Sequence, residues 1–524
     1  MLDPILLWNE VALEANRVSH TNGQGEQTGP TLSSRALAIV HLAMYDAYAG
    51  VINNPTDLPR YIADPPSPAI TGSLDEATAV AVAAAAHKAL ASLFPSQKPF
   101  FDSVLTAAGD PPNPPNPSNP VHDFGVAVAE KILEDRKNDP GAGSTSYKPS
   151  PGYGKHRPDP DNIGQGFHAP DYGKQSKGFG ISERHELAAP PFDNEEYRRA
   201  LKEVRGKGIK PELMGTLPDH IKGRTVDETL IGIYWAYDGV AQLGTPPRVY
   251  NQIVRKVAIK QGNSVAANAR LFAFVNVAMA DAGILAWDQK YFHNFWRPVV
   301  GIREHDKSMG PGATQGVDDI SDNCDPLWLP LGAPNTNRIA KNFTPPFPAY
   351  PSGHATFGTA AFHITRLFYG QGGKYCDNTL SEDNLFDDLD FVSEELNGIS
   401  TDNTGTVRPR HLRKFPGGLW QMIEENGRSR VYLGVHWVFD AFVVTEDGEL
   451  DLYRKDQEEG EEEKPFGGVP LGLLIAEDIF KFGNEKAPKK STVDPRPEPT
   501  NEGEGRTPTF ASIYQPSASP SGYR

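Results

Sequence analysis

The stretch Ser34-Arg-Ala-Leu-Ala-Ile-Val-His-Leu-Ala-Met-Tyr-Asp-Ala-Tyr-Ala-Gly-Val51 decides the fold class, because its length and its nearly unbroken apolar content read as a buried helix. Downstream, Ser73-Leu-Asp-Glu76 is a capping box that opens an alanine-rich helix running to about Leu93, before Pro95. Further helical periodicity occurs at about 121–136, 194–205, 226–241, 247–261, 264–287, 353–369, 416–426, 429–442 and 470–482. Alternating strand-like runs are scarce, so the reading is all-α. A Gly/Pro/Lys-rich passage from about Asn138 to Phe192 has turn signals but little periodicity and divides the helices into two groups. Two helical bundles packed in one molecule, with long irregular loops, are therefore predicted. Residues 1–215 form an N-terminal scaffold bundle and 216–484 a second bundle that carries the chemistry. From about Glu485 the chain turns to Pro, Ser, Thr, Gly and charge, which predicts an extended, disordered tail over 485–524. Three charged stretches, Asp377–Glu395, Arg408–Lys414 and Asp456–Lys464, read as solvated loops.

With 524 residues the chain can bury a large core without staples. Cys324 and Cys376 are its only cysteines, which gives no disulfide framework and no thiolate metal site, and leaves a single bridge between them open. The opening Met1-Leu-Asp-Pro-Ile-Leu-Leu-Trp-Asn lacks a basic start and a long apolar run, so no signal peptide is visible. No stretch reads as a membrane span free of charge or histidine, and a soluble protein is expected. The net charge of -16 argues against nucleic acid or an anionic membrane as partner.

Against that acidic background, three short segments gather cations and oxyanion chemistry. Tyr350-Pro-Ser-Gly-His354 places Ser352 as an N-cap and Gly353 and His354 in the first turn of a helix, where free N–H groups and the macrodipole favour an anion. Arg428-Ser-Arg-Val-Tyr-Leu-Gly-Val-His-Trp-Val-Phe-Asp440 carries Arg430, His436 and Asp440. On a helix the i,i+4 spacing brings Asp440 to the His436 ring, fixing its tautomer and leaving the other nitrogen free. Trp287-Asp-Gln-Lys-Tyr-Phe-His-Asn-Phe-Trp-Arg-Pro298 sets Lys290 and Arg297 about two helical turns apart. Taken singly, each segment has a plain structural reading: a capped helix, a salt-bridged helix, a solvated lysine. Together they describe a cage for a tetrahedral anion, with three cations, one hydroxyl, one backbone N–H and two imidazoles.

Lys-x6-Arg-Pro, Pro-Ser-Gly-His and Ser-Arg-x3-Gly-x-His-x3-Asp, in this order, resemble the signature shared by vanadium-dependent haloperoxidases and the acid phosphatase and type 2 phosphatidic acid phosphatase superfamily. The segments Leu7-Trp-Asn-Glu-Val, Trp235-Ala-Tyr-Asp-Gly, Gly244-Thr-Pro-Pro-Arg-Val-Tyr-Asn-Gln-Ile253 and the run from Gly467 to Phe480 are similar to the fungal vanadium chloroperoxidases. The resemblance implies vanadate as cofactor, bonded axially by His436 and hydrogen-bonded by Lys290, Arg297, Ser352, Gly353 and Arg430. It implies that His354 is the acid–base histidine, that Trp287 and Phe347 form the halide environment, and that Asp238 pairs with Arg430. Phe347 and Trp287 favour chloride oxidation on this reading. The substrates it implies are hydrogen peroxide, a halide and a small organic acceptor, with secretion suggested by fungal relatives. A phosphomonoesterase with His436 as nucleophile, oriented by Asp440, is the alternative on the same scaffold. An anion-binding protein without turnover is a third reading.

Overall fold

The structure, a computed structural model, describes residues 3–70, 72–109, 119–143, 147–370, 386, 388–452, 454–456 and 463–496. Its helices are α1 (Pro4–Ser19), α2 (Gly29–Ile52), α3 (Leu74–Leu93), α4 (Lys98–Ala107), α5 (Pro120–Asp135), α6 (Tyr172–Gln175) and α7 (Glu195–Lys207), then α8 (Val226–Tyr234), α9 (Pro246–Lys260), α10 (Val265–His293), α11 (Pro298–Arg303), α12 (Gly353–Tyr369), α13 (Gly418–Tyr432) and α14 (Gly468–Phe482). The fold is all-helical apart from short antiparallel strand pairs, such as Leu389–Phe391 against Arg413–Phe415. Helix α1 has no counterpart in the periodicity reading, although its start is written locally: Asp3 caps the amides of Ile5 and Leu6 at 2.8 and 3.0 Å, with Pro4 at the first helical position.

Helix α10 organises the molecule. Its 29 residues span about 44 Å, from the Ser264 cap to a left-handed Asn294, and it is buried from Asn268 to Lys290 with one interruption at Arg270. Such a helix needs partners on all sides, and it finds α2 on one flank and α12 and α14 on the other. Helix α12 leans in turn on α14, α13 and α9, while α2, α3 and α5 pack together. One hydrophobic core therefore runs from Ile5 to Val493, through both helical groups. Both α2 and α10 are long and apolar enough to cross a membrane, and both are buried in this core.

Buried carboxylates tie the irregular passage to the helices. Asp281 of α10 accepts the amides of Phe179, Gly180 and Ile181 at 2.6, 2.7 and 3.0 Å, and Asp46 of α2 accepts those of Tyr61 and Ile62. The start of the C-terminal segment, expected to be a disordered tail, is packed instead: Val493 is buried, its carbonyl accepts from Gly178, and Arg496 reaches Asp288 at 2.8 Å. Its remainder, like Cys376 and most of the 377–395 acidic stretch, lies outside the described residues. Cys324 is a free thiol.

Four local expectations are corrected. The helix expected over 226–241 stops at Tyr234, where the chain turns through Tyr237 and Gly239, both with positive φ. The helix expected over 429–442 stops at Tyr432, followed by Gly434 at φ 72° and a 3-10 turn at Val438–Asp440. Lys290 and Arg297 are not on one helix, because α10 ends at His293 and Arg297 caps α11. Arg408 is not solvated: it is buried against the fully buried Glu395, Nη1 to Oε2 2.8 Å, since an unpaired carboxylate there would be costly.

Candidate functional site

The first three of these corrections place side chains around one pocket. After Tyr432 the chain leaves the helical path, and Gly434 permits it: a Cβ there would lie 2.5 Å from the Gly208 carbonyl oxygen, at a φ that only glycine adopts without strain. The turn aims His436 inward. Its contact with Asp440 forms as the spacing suggests, Nδ1 to Oδ2 2.7 Å, but through a loop and a 3-10 turn rather than along a helix. Asp440 also accepts the Trp437 amide at 3.1 Å, and its carbonyl oxygen accepts the Ser352 amide at 2.7 Å, so the Tyr350–His354 and Arg428–Asp440 segments are joined directly. The turn after α8 likewise delivers Asp238 to Arg430 as a two-pronged pair at 2.7 and 3.0 Å, both groups buried.

Arg297 donates from Nε to the Phe347 carbonyl (2.8 Å) and from Nη1 to the Val435 carbonyl (2.8 Å), and Nη1 also faces His436 Nε2 at 2.9 Å. Its Nη2, and Nε of Arg430, are buried without a hydrogen-bond partner among the described residues. Ser352 caps α12, and its hydroxyl accepts from the Ala355 amide at 3.4 Å. The amide of Gly353 belongs to the first turn of α12, which has no intrahelical acceptor to use. A Cβ at Gly353 would sit 3.2 Å from the Trp287 ring and 3.8 Å from Lys290 Cε, so glycine keeps this wall open. His354 donates from Nε2 to the Ala236 carbonyl at 2.7 Å; a carbonyl only accepts, so Nδ1 is left as the basic nitrogen. The His354 carbonyl is held by Asn426 (2.7 Å) and Tyr250 (3.2 Å). Lys290 departs from expectation in detail: its ammonium donates to the carbonyls of Pro348 and Ala349, both at 3.0 Å, and of Pro351.

The charge balance is uneven. Lys290, Arg297 and Arg430 face Asp238 and Asp440, three cations against two carboxylates, an excess of one positive charge in a buried site. The titrating groups register it. Burial and then neighbouring Arg297 hold Lys290 well below its ordinary value, and burial pushes Arg297 down to about 9. Burial, then Arg297 and Lys290, hold His436 well below 6.5; burial and then Arg430 do the same to His354. Burial raises Asp440 to about 7 despite Lys290 and Arg297. Both imidazoles are thus neutral, with His436 Nε2 and His354 Nδ1 carrying lone pairs.

These groups border a cavity of about 610 Å³ whose lining includes Asp238, Gly353, His354, Arg430 and His436. Trp287 and Phe347 form an aromatic corner of it, ring centroids 4.8 Å apart, and the cations of Lys290 and Arg297 lie 5.1 and 5.0 Å from the Phe347 ring. Sequence reasoning missed the contribution of the first helical group and of the connecting passage: His20, Gly29 and Pro30 of the former and His168 of the latter also line the cavity. No local pattern marks them, since none lies in a motif.

Among the described residues, no cluster of three or more His, Cys, Asp or Glu side chains is placed to hold a metal cation. One inward imidazole lone pair, two unpartnered guanidinium donors and a positive excess instead fit an oxyanion of a metal that accepts one nitrogen ligand.

Residues 3–165 match the family described as the vanadium chloroperoxidase N-terminal domain, and residues 270–449 that described as the VCPO second helical-bundle domain. The chain is 36% identical to the vanadium chloroperoxidase of Curvularia inaequalis, over 96% of this chain and 94% of that protein. In fold it is similar to a bacterial vanadium-dependent iodoperoxidase, at 20% identity, TM-score 0.53 and coverage of 92% and 96%. A holo-type bacterial vanadium-dependent chloroperoxidase gives 18% identity, TM-score 0.59 and coverage of 87% and 93%.

Proposed function

The chain belongs to the vanadium chloroperoxidase family; it is a vanadium-dependent haloperoxidase with vanadate as its cofactor, and we propose that the cavity residues around His436 hold that oxyanion and carry out the proton transfers. The single observation behind this assignment is the convergence of two buried, unpartnered guanidinium donors, Arg297 Nη2 and Arg430 Nε, with the inward lone pair of His436 Nε2. When bound, vanadate supplies a Lewis-acidic centre that activates hydrogen peroxide towards halide without changing oxidation state. His436 would offer its Nε2 lone pair, which Arg297 Nη1 contacts at 2.9 Å and would have to release, with Asp440 fixing the proton on Nδ1. Arg297, Arg430, the Gly353 amide and the Ser352 hydroxyl would donate to the anion's oxygens. Asp238 orients Arg430 through its two-pronged pair. Lys290 contributes charge and stiffens the loop before Ser352; direct contact with the anion requires it to release one of its three carbonyls. His354 Nδ1 takes the proton of incoming hydrogen peroxide. Trp287 and Phe347 give the halide an apolar, partly dry approach, which favours chloride as well as bromide. The division into a bundle over 1–215 and a site-bearing bundle over 216–484 stands as part of this proposal.

The test is reconstitution of metal-free protein with orthovanadate, followed by chlorination and bromination of monochlorodimedone with hydrogen peroxide, beside a phosphatase assay. Halogenation that requires both vanadate and peroxide is the expected result. Phosphatase activity without halogenation would transfer the His436–Asp440 pair to the role of an oriented nucleophile.

A further inference from the structure

His168 comes from the passage that sequence reading treats as a connector, yet it stands at the aromatic corner of the cavity. Its main chain is fixed on both sides: the amide donates to the Pro346 carbonyl at 2.9 Å, and the carbonyl accepts from Trp287 Nε1 at 3.2 Å and from the Tyr291 hydroxyl at 2.8 Å. Its ring stands edge-on to Trp287, centroids 6.0 Å apart, and 6.2 Å from Phe347. From the other side it is seated against the start of α2. A Cβ on Gly29 would lie 2.2 Å from His168 Cε1, so the ring has its place only because residue 29 is glycine. Nε2 meets the Thr31 hydroxyl at 3.0 Å, whereas Nδ1 has no protein partner among the described residues and is open to the cavity.

We propose that His168 is a halide-binding and halide-discriminating residue, donating an N–H from Nδ1 to the halide that approaches between Trp287 and Phe347. In this assignment the Thr31 hydroxyl is the donor to Nε2, and the ring proton sits on Nδ1. Burial holds the imidazole down at about 4, so the ring is a neutral donor and adds no fixed charge. A neutral N–H beside aromatic edges suits a weakly hydrated monovalent anion better than another cation would, because the cage already has its positive excess and a further charge would hold the anion in place. The assignment rests on the haloperoxidase reading and deepens it: the irregular connecting passage supplies a substrate contact.

The variant His168→Phe keeps the aromatic wall and removes the N–H. In vanadate-loaded protein, the halide KM is expected to rise about ten- to hundredfold, with the peroxide KM and the vanadate affinity unchanged within about twofold. Chloride-NMR line broadening, which needs no turnover, should report a parallel loss of halide affinity. Thr31→Val keeps the ring but releases its tautomer, and should move both readouts in the same direction by less. Unchanged halide KM and line broadening in His168→Phe would overturn the proposal, as would an equal loss of vanadate and peroxide affinity, which marks a packing role. Wild-type protein that binds vanadate but oxidises no halide would overturn the parent reading instead, and the line-broadening arm would still decide whether His168 binds halide.

Discussion

Replacing Asp440 by alanine removes the two things this carboxylate does, and a pair of anions separates them. It accepts the Nδ1 proton of His436 at 2.7 Å and the Trp437 amide at 3.1 Å, and it offsets one positive charge of the cage. Both contacts go to one carboxylate oxygen, Oδ2, so an asparagine keeps them on its side-chain oxygen and loses only the charge, whereas alanine removes the acceptor as well. Without that acceptor nothing holds the imidazole proton on Nδ1, and the tautomer protonated on Nε2, which lacks the lone pair that a metal oxyanion needs, becomes populated. Losing such a supporting contact costs about 10–100-fold in affinity, or ~1.4–2.7 kcal/mol. Removing the negative charge acts the other way, by roughly 2–4 kcal/mol for charges about 4–8 Å apart at an effective permittivity of about 20. Raw vanadate affinity is therefore ambiguous, and sulfate resolves it, because a tetrahedral anion that accepts no nitrogen ligand feels only the charge. Burial raises the Asp440 carboxyl to about 7, so the measurement belongs at about pH 8.5, where the wild-type group is ionised. Equilibrium dialysis of metal-free Asp440→Ala with vanadate, and with sulfate as competitor, should show sulfate binding more tightly. The ratio of vanadate to sulfate dissociation constants should rise about 10–100-fold over wild type. An unchanged ratio, with unfolding midpoints intact, refutes the tautomer argument.

Three further outcomes are expected. Phe347→His replaces an apolar ring between Lys290 and Arg297 by a polar one, and should shift turnover towards bromide; an unchanged chloride-to-bromide ratio counts against Phe347 as a halide determinant. Gly434→Ala forces a side chain into a φ of 72° and a 2.5 Å approach to the Gly208 carbonyl oxygen, and should cost at least about 2 kcal/mol, read as a lowered denaturant midpoint at constant slope. Binding of sulfate to metal-free protein at neutral pH should take up protons. Lys290, His354 and His436 are held below their ordinary values by burial and by neighbouring cations; an anion cancels the cationic share, their values rise, and protonation increases. Calorimetry in buffers of different ionisation enthalpy measures the uptake, and buffer-independent heats would contradict it.

The sequence by itself determined the helices, through apolar periodicity and caps such as Ser264 and Ser352, and it determined the chemistry of the anion site, because arginine, histidine and glycine at those spacings have few other uses. These signals are local and are read within a turn or two of chain. The tertiary structure alone decided how that chemistry is aimed. The halt of α8 at Tyr234 brings Asp238 to Arg430, and the halt of α13 at Tyr432 turns His436 inward. Three loop carbonyls capture Lys290, and a ring from the irregular passage lodges against Gly29. Periodicity runs through both helix ends without a break, since the chain turns there to meet distant groups: the Gly208 backbone carbonyl beside Gly434, and the Arg430 guanidinium that pairs with Asp238. A residue's neighbours in the chain carry its propensity, but the direction of a buried charge is fixed by partners far away in sequence, and only folding brings those partners together.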